Sequence, residues 1–102
     1  MTHIYEILSQ LQPKTDHIVV MANTKKISRE LINELRTSQK MSGDGRVFFK
    51  ENTRISIVAA GDNYSGEENY SLLHWAWYTQ PEAQVMKKVQ QWEAKATEIL
   101  TK

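Results

Sequence analysis

The chain has 102 residues, 40% of them hydrophobic and 25% charged, and a formal net charge of +1 at pH 7. This length and composition are typical of a single globular domain over residues 1–102 that builds its core without metal or disulfides. The chain has no cysteine, which excludes disulfides, thiolate zinc sites and cysteine nucleophiles.

The expected compartment and the charge distribution limit the classes of partner that this protein is expected to bind. We see no signal peptide, and the apolar runs are far shorter than the about 20 residues of a membrane span, so we expect a cytoplasmic protein that does not bind membranes. Residues 1–56 carry nine Lys or Arg and six Asp or Glu, whereas residues 57–102 carry four and six. The basic excess lies between Lys25 and Arg54, and a dedicated nucleic-acid-binding protein is usually more basic.

The first part of the chain predicts a helix, a strand and a second helix. The first helix has apolar residues at helical spacing and ends before Pro13. Residues 17–22 are apolar and β-branched at their centre, so we expect a strand that is buried on both faces and central in a sheet. The second helix should begin at Ser28 as its N-cap, because Lys25 and Lys26 would lie unfavourably at the positive end of the helix dipole.

The middle of the chain predicts a β-hairpin followed by a loop and an aromatic segment. The hairpin has its arms at residues 46–50 and 54–60, joined by a polar turn. Residues 61–69 form a polar loop with two glycines. Residues 70–78 fit either a strand or a helix, but their aromatic residues and the preceding hairpin favour a third antiparallel strand.

The last predicted element is an amphipathic helix. Residues 79–82, Thr-Gln-Pro-Glu, match a capping box with proline in the first turn. Glu98 and Lys102 are spaced for a favourable helical ion pair. The apolar residues that recur at helical spacing are Val85, Val89, Trp92, Ala96 and Ile99. The element order is therefore α-β-α-β-β-β-α, an α+β fold with helices packed on a small, mainly antiparallel sheet.

The strongest functional signal is a concentration of large aromatic residues near the end of the chain. All three tryptophans lie within 18 positions, and each ring buries on the order of 200 Å². They form either the core or an apolar contact surface, and Trp and Tyr are enriched in interface hot spots. We therefore expect a non-enzymatic protein that acts through protein–protein interaction, as an inhibitor, adaptor or accessory subunit, with a homodimer as one form. The candidate interface residues are Trp75, Trp77, Tyr78 and Trp92.

A basic helix face supports nucleic-acid binding as an alternative. Four residues of the second helix fall within one narrow arc, and two basic residues lie near the hairpin tip. Arg and Asn contact base edges, whereas Lys suits phosphate. Solvated surface helices also have charged outer faces, so both interpretations stay open. The candidates for binding nucleic acid are Arg29, Asn33, Arg36, Lys40, Lys50 and Arg54.

A small enzyme is the third hypothesis, and the sequence favours binding over catalysis. His74, beside two tryptophans, is the candidate general base, with Asp62, Glu67 or Glu68 as its carboxylate partner. A structural core histidine fits the same position. No histidine has metal-ligand spacing, and no phosphate loop or nucleophile motif is present, so we predict neither a metal site nor a cofactor.

Overall fold

The computed structural model of this chain contains both helices and strands, and it describes residues 4–22, 24–38, 42–44, 47–50, 52–62, 69–75 and 83–100. The helices are α1 (Ile4–Gln10), α2 (Lys25–Asn33), which continues into a π-helical turn (Glu34–Ser38), and α3 (Ala83–Lys95). The strands are β1 (His17–Ala22), β2 (Ser42–Asp44), β3 (Val47–Lys50), β4 (Thr53–Ala59), β5 (Ser71–His74) and β6 (Glu98–Leu100).

The described strands form one mixed sheet in the order β2-β3-β4-β1-β5-β6. β1 is parallel to both of its neighbours, β4 and β5, and β6 is parallel to β5. The pairs β2–β3 and β3–β4 are antiparallel, which confirms the predicted hairpin. The predicted α+β class is therefore confirmed, whereas the prediction of a mainly antiparallel sheet is wrong.

β1 is the central strand that its apolar sequence predicts. All six of its residues are buried. Because side chains alternate along a strand, Ile18 and Val20 face one side of the sheet and Val19 and Met21 face the other. The sheet therefore has a hydrophobic core on each side, and β1 contributes to both.

The two cores differ in the helices that cover them. In the first core, α1 and α2 pack on the sheet, with Leu31 of α2 and Ile57 of β4 among the buried residues. In the second core, α3 packs through Val89 and Trp92 against residues of β1 and β5. The sheet thus lies between two helical layers.

The described part of residues 70–78 does not form the predicted third antiparallel strand. Their described part contains β5, which runs parallel to β1 with Ile18 opposite Ser71 and Met21 opposite His74. β4 and β5 therefore run in the same direction on either side of β1. Aromatic content favours a strand but does not encode its direction relative to its neighbours. Residues 76–78 lie outside the described part of the chain.

The second helix begins earlier than predicted, because Thr24 and not Ser28 is its N-cap. The Thr24 hydroxyl accepts a hydrogen bond from the Ile27 N–H at 3.2 Å, which satisfies one of the open donors of the first turn. Lys25 and Lys26 are tolerated there because both are exposed, so water and salt screen their repulsion by the helix dipole.

The last helix ends at Lys95, earlier than its apolar spacing predicts. The Thr97 N–H donates to the Tyr70 carbonyl at 2.8 Å, and the chain then pairs with β5 as β6. Ile99 is consequently 49% exposed on a strand and does not continue the apolar side of the helix. The predicted helical pair of Glu98 with Lys102 is wrong for Glu98, which lies in β6. Lys102 and the predicted capping box at residues 79–82 lie outside the described residues.

Glu98 joins β6 to the segment that precedes β1. Its carboxylate accepts hydrogen bonds from the Lys14 backbone N–H and from the Ser71 hydroxyl, the second at 2.7 Å. Ser71 Oγ also lies 2.8 Å from Thr15 Oγ1. These hydrogen bonds, with the one from Lys14 contributing most, lower the pKa of Glu98, because they stabilise its charged form.

Candidate functional site

The side of the sheet that carries α3 is only partly covered. Within the described residues, the second core includes side chains of β1, β4 and β5 but none of β3. Phe48 and Ile55, which are paired on β3 and β4, lie in the first core. Their neighbours along each strand therefore face the α3 side, beyond the second core. These neighbours are Val47, Phe49, Arg54 and Ser56, and we call them the open sheet face.

The register of β3 and β4 brings the four side chains of the open sheet face together. Phe49 is paired with Arg54, and Val47 is paired with Ser56. Directly opposite residues of an antiparallel pair have Cβ atoms about 4.5–5.5 Å apart and share one face. Phe49 is 52% exposed, Arg54 is exposed, and the other two are half-buried. The patch therefore combines an aromatic ring, a cation, an aliphatic side chain and a hydroxyl group.

His17 is buried beside the open sheet face and forms hydrogen bonds with two of the residues in that face, Arg54 and Ser56. It lies opposite Arg54 in the pairing of β1 with β4. Its Nε2 is 2.8 Å from Ser56 Oγ, and its Nδ1 is 3.0 Å from Arg54 Nη2. A guanidinium group only donates hydrogen bonds, so Nδ1 must be the accepting nitrogen and a neutral ring carries its proton on Nε2. The imidazole therefore accepts from Arg54 and donates to Ser56.

This arrangement does not fit a serine nucleophile activated by histidine. Such a pair needs an unprotonated ring nitrogen facing the hydroxyl group, with the other nitrogen held by an acceptor. Here the nitrogen that faces Ser56 carries the proton, and the other nitrogen faces the donor Arg54. His17 is therefore a positioning residue for Arg54 and Ser56.

Aromatic contacts connect His17 to the second core. The Tyr70 ring meets the His17 ring edge-on with centroids 6.2 Å apart, and it meets the Trp92 ring edge-on at 6.0 Å. The Tyr70 hydroxyl donates a hydrogen bond to the Trp92 carbonyl. The residue that orients Arg54 is thus fixed to the layer formed by α3, which makes this part of the open sheet face rigid.

Two of the four predicted interface residues are buried in the hydrophobic cores. Trp75 is 2% exposed in the first core and Trp92 is 4% exposed in the second core, so they lie on opposite sides of the sheet. Trp77 and Tyr78 lie outside the described residues. Their role in an interface stays a prediction. The exposed large apolar side chains of the described residues are Phe49 and Ile99. The sequence signal for the exposure of Phe49 is strand alternation in the predicted hairpin, which places Phe49 and its buried neighbour Phe48 on opposite sides of the sheet.

The predicted nucleic-acid-binding residues are distributed over two sides of the sheet. Arg29 and Asn33 of α2 and Arg36 of the π-helical turn are exposed on the helical layer of the first core. Arg54 lies on the opposite side, where it contacts His17. Lys40 lies outside the described residues, as does the side chain of Lys50. The structure therefore places the three helix residues on one helical layer and Arg54 on the opposite side of the sheet.

The π-helical turn also changes the geometry of the helix candidates. The narrow arc predicted for them assumes an uninterrupted α-helix. A π-helical turn contains more residues per turn, so it rotates Arg36 away from Arg29 and Asn33. Within this segment, the Thr37 hydroxyl donates to the Asn33 carbonyl at 2.6 Å, a contact that often accompanies bending of a helix.

The predicted general base, His74, has a different carboxylate partner from those predicted. Its Nε2 is 3.0 Å from Glu93 Oε1 of α3, and both side chains are partly exposed. Asp62 accepts a hydrogen bond from the Ala59 N–H at 2.9 Å, and Glu67 and Glu68 lie outside the described residues. His74 lies at the carboxyl end of β5. The helices after β1 and β5 lie on opposite sides of the sheet, an arrangement that forms ligand crevices in many α/β proteins.

Comparison with protein-family models, with curated proteins and with solved structures finds no match to this chain. Among the described residues, no three His, Asp or Glu side chains are grouped closely enough to hold a metal ion. In the same part of the chain, no helix combines the length and apolar character that crossing a membrane requires.

Proposed function

We propose that this protein binds a partner protein through the open sheet face, as an inhibitor, adaptor or accessory subunit. The observation that carries the proposal is Phe49, an aromatic side chain that is 52% exposed on a part of the sheet that no described helix covers. Its neighbour Arg54 adds a cation that is held in place by a buried histidine.

The composition of this patch supports a protein partner. Aromatic residues and arginine are enriched in protein interfaces relative to the rest of the surface. Complete burial of a Phe side chain stabilises a complex by about 1.5–3 kcal/mol, of which half-exposed Phe49 still offers a large part. A second copy of this chain is one form that the partner could take.

The rigidity of the open sheet face also favours binding. Association costs about 0.5–1.5 kcal/mol for each flexible side chain that becomes ordered at the interface. Arg54 is already oriented by His17, and His17 is fixed by Tyr70. Less conformational entropy is therefore lost when Arg54 meets a partner than for an arginine on a flexible loop.

The test compares Phe49→Ser with Ile99→Ser, a matched control on the other exposed apolar side chain. Affinity capture with quantitative mass spectrometry identifies the proteins held by each variant, and light scattering reports self-association. We expect the wild type and Ile99→Ser to retain the same partner or dimer and Phe49→Ser to lose it. Circular dichroism checks that both variants fold. Retention by folded Phe49→Ser would contradict the proposal.

Nucleic-acid binding through α2 is the second candidate. It is supported by Arg29, Asn33 and Arg36, which are exposed on one helical layer, and by exposed Lys25 and Lys26 at the start of the helix. This function predicts an affinity that falls steeply with added salt, because each neutralised phosphate releases counterions. Fluorescence anisotropy with mixed-sequence DNA and RNA at several salt concentrations tests it. A flat dependence, or no binding at low salt, would remove this candidate.

A further inference from the structure

The open sheet face contains chemistry that defines its partner more closely. Arg54 is exposed and is held by a nitrogen of His17, which is itself 4% exposed. Phe49 is the residue directly opposite Arg54 on the neighbouring strand. A planar cation and an aromatic ring are thus presented side by side. A ligand that suits both must offer an anionic group next to an apolar group.

We propose that the open sheet face binds an acidic, apolar peptide segment of the partner, with one carboxylate on Arg54 and an adjoining apolar side chain on Phe49. This inference rests on the proposed function and specifies its partner. The guanidinium group matches a carboxylate because its N–H groups form parallel, charge-assisted hydrogen bonds. Ser56, which accepts from His17 and has its own hydroxyl hydrogen, adds a donor next to Arg54.

The surroundings of Arg54 favour a single carboxylate over a polyanion. Arg54 is the one cation among the four residues of the open sheet face. Proteins that bind single-stranded nucleic acid combine several cations with several stacking rings. The cations of α2 lie on the other side of the sheet and do not extend this patch.

His17 determines how strongly the carboxylate is bound, although it does not contact the peptide. Its Nδ1 accepts from Arg54 Nη2, so it fixes the plane of the guanidinium group on the sheet. Without this contact Arg54 keeps its charge but loses a hydrogen bond that orients its guanidinium group. Loss of His17 should therefore weaken discrimination for the carboxylate and leave the apolar contact with Phe49 intact.

Selection from a random dodecapeptide phage library on the full-length protein tests the proposal. We expect enriched peptides to carry Asp or Glu next to an apolar residue, and we expect this pattern to disappear with Arg54→Gln. Enriched apolar peptides without acidic residues, lost only with Phe49→Ser, would overturn this inference and leave the proposed function standing. No enrichment that depends on Phe49 would overturn both. Binding of a 20-residue oligothymidine that depends on Arg54 would also overturn the inference in favour of nucleic acid.

A binding cycle with the selected peptide then isolates the positioning role of His17. Fluorescence anisotropy compares the peptide with its Glu→Gln or Asp→Asn analogue. For the wild type we expect the analogue to bind about 10-fold more weakly, the scale of one hydrogen bond to a charged group. Arg54→Gln should bind both peptides equally, and Arg54→Lys and His17→Phe should each show a reduced ratio. An unchanged ratio in folded His17→Phe would contradict the positioning role. An unchanged ratio in Arg54→Gln would contradict the proposed contact.

Discussion

On the α1/α2 side of the sheet, Phe48 is fully buried in the first core, whereas its sequence neighbour Phe49, on the α3 side, is 52% exposed. The same residue type thus has two different environments at adjacent positions of β3. The first core receives α1 and α2 together, and Phe48 of β3 belongs to it. The second core receives α3 alone among the described helices, and α3 packs over β1, β5 and the end of β4.

The difference between Phe48 and Phe49 shows how a small protein assigns stability and binding to different residues of one strand. Phe48 is surrounded by apolar side chains, so its burial contributes to the free energy of unfolding. Phe49 has no helix above it in the described structure, so the exposed 52% of this residue is available to a partner. Strand alternation makes this separation possible, because adjacent residues belong to opposite sides of the sheet.

The largest predicted effect comes from truncating these two rings one at a time. We expect Phe48→Ala to lower the free energy of unfolding by about 3–5 kcal/mol, because it leaves a cavity in a packed core. Phe49→Ala should change it by no more than about 0.5 kcal/mol, as is usual at a surface position. Urea unfolding measures both values. Phe48→Leu, which keeps most of the volume, serves if Phe48→Ala does not fold. Equal losses for Phe48 and Phe49 would show that the open sheet face is covered.

A smaller effect is expected at the start of α2, which covers the first core. Thr24→Ala removes the hydroxyl that accepts from the Ile27 N–H, and we expect a loss of about 1 kcal/mol in the free energy of unfolding. Thr24→Ser keeps the hydroxyl and is the matched control, with a loss well below that of Thr24→Ala. Urea unfolding at neutral pH compares the two. Equal stability of these variants would mean that the hydroxyl of residue 24 does not stabilise α2.

The sequence was sufficient for elements whose pattern is local. The apolar run 17–22 correctly predicted a central strand, because a strand buried on both faces needs apolar side chains at every position. The hairpin was equally predictable, since two strand-like arms flank a short polar turn. Alternation within that hairpin already assigns Phe48 and Phe49 to opposite sides, so part of the candidate site was accessible from sequence. Which side of β3 would have no described helix over it was not predictable.

Features that depend on distant contacts were not predictable in the same way. The apolar spacing of α3 continues to Ile99 and predicts a longer helix. Instead, the Thr97 N–H donates a hydrogen bond to the Tyr70 carbonyl, and the chain then pairs with β5 as β6. The hydrogen bond from Arg54 to His17 also joins two residues that are 37 positions apart in the sequence. The single sequence contains no periodic signal for such a pair. Tryptophan content was likewise ambiguous, because the structure places Trp75 and Trp92 on opposite sides of the sheet.

The smallest predicted effect concerns Glu98, which joins the edge strand β6 to the segment before β1 through a hydrogen bond. Hydrogen bonds from Lys14 and Ser71 lower the pKa of Glu98 below its ordinary value of 4.5 in the folded protein. A carboxyl group with a lowered folded-state pKa stabilises the protein above its unfolded pKa, and this contribution is lost as the pH falls through the folded pKa. Glu98→Gln should therefore lower stability at pH 7, and the difference from wild type should shrink below about pH 4.5.

Urea unfolding at pH 7, 5, 4 and 3 measures this change in Glu98→Gln. Glu30→Gln, at an exposed position of α2, controls for the loss of one negative charge. We expect a modest effect, because Glu98 is partly exposed and solvent screens its interactions. A difference that stays constant from pH 7 to pH 3 would show that the negative charge of Glu98 does not contribute to stability. A difference that shrinks in acid for Glu98 but not for Glu30 would show that a charged hydrogen bond holds this edge.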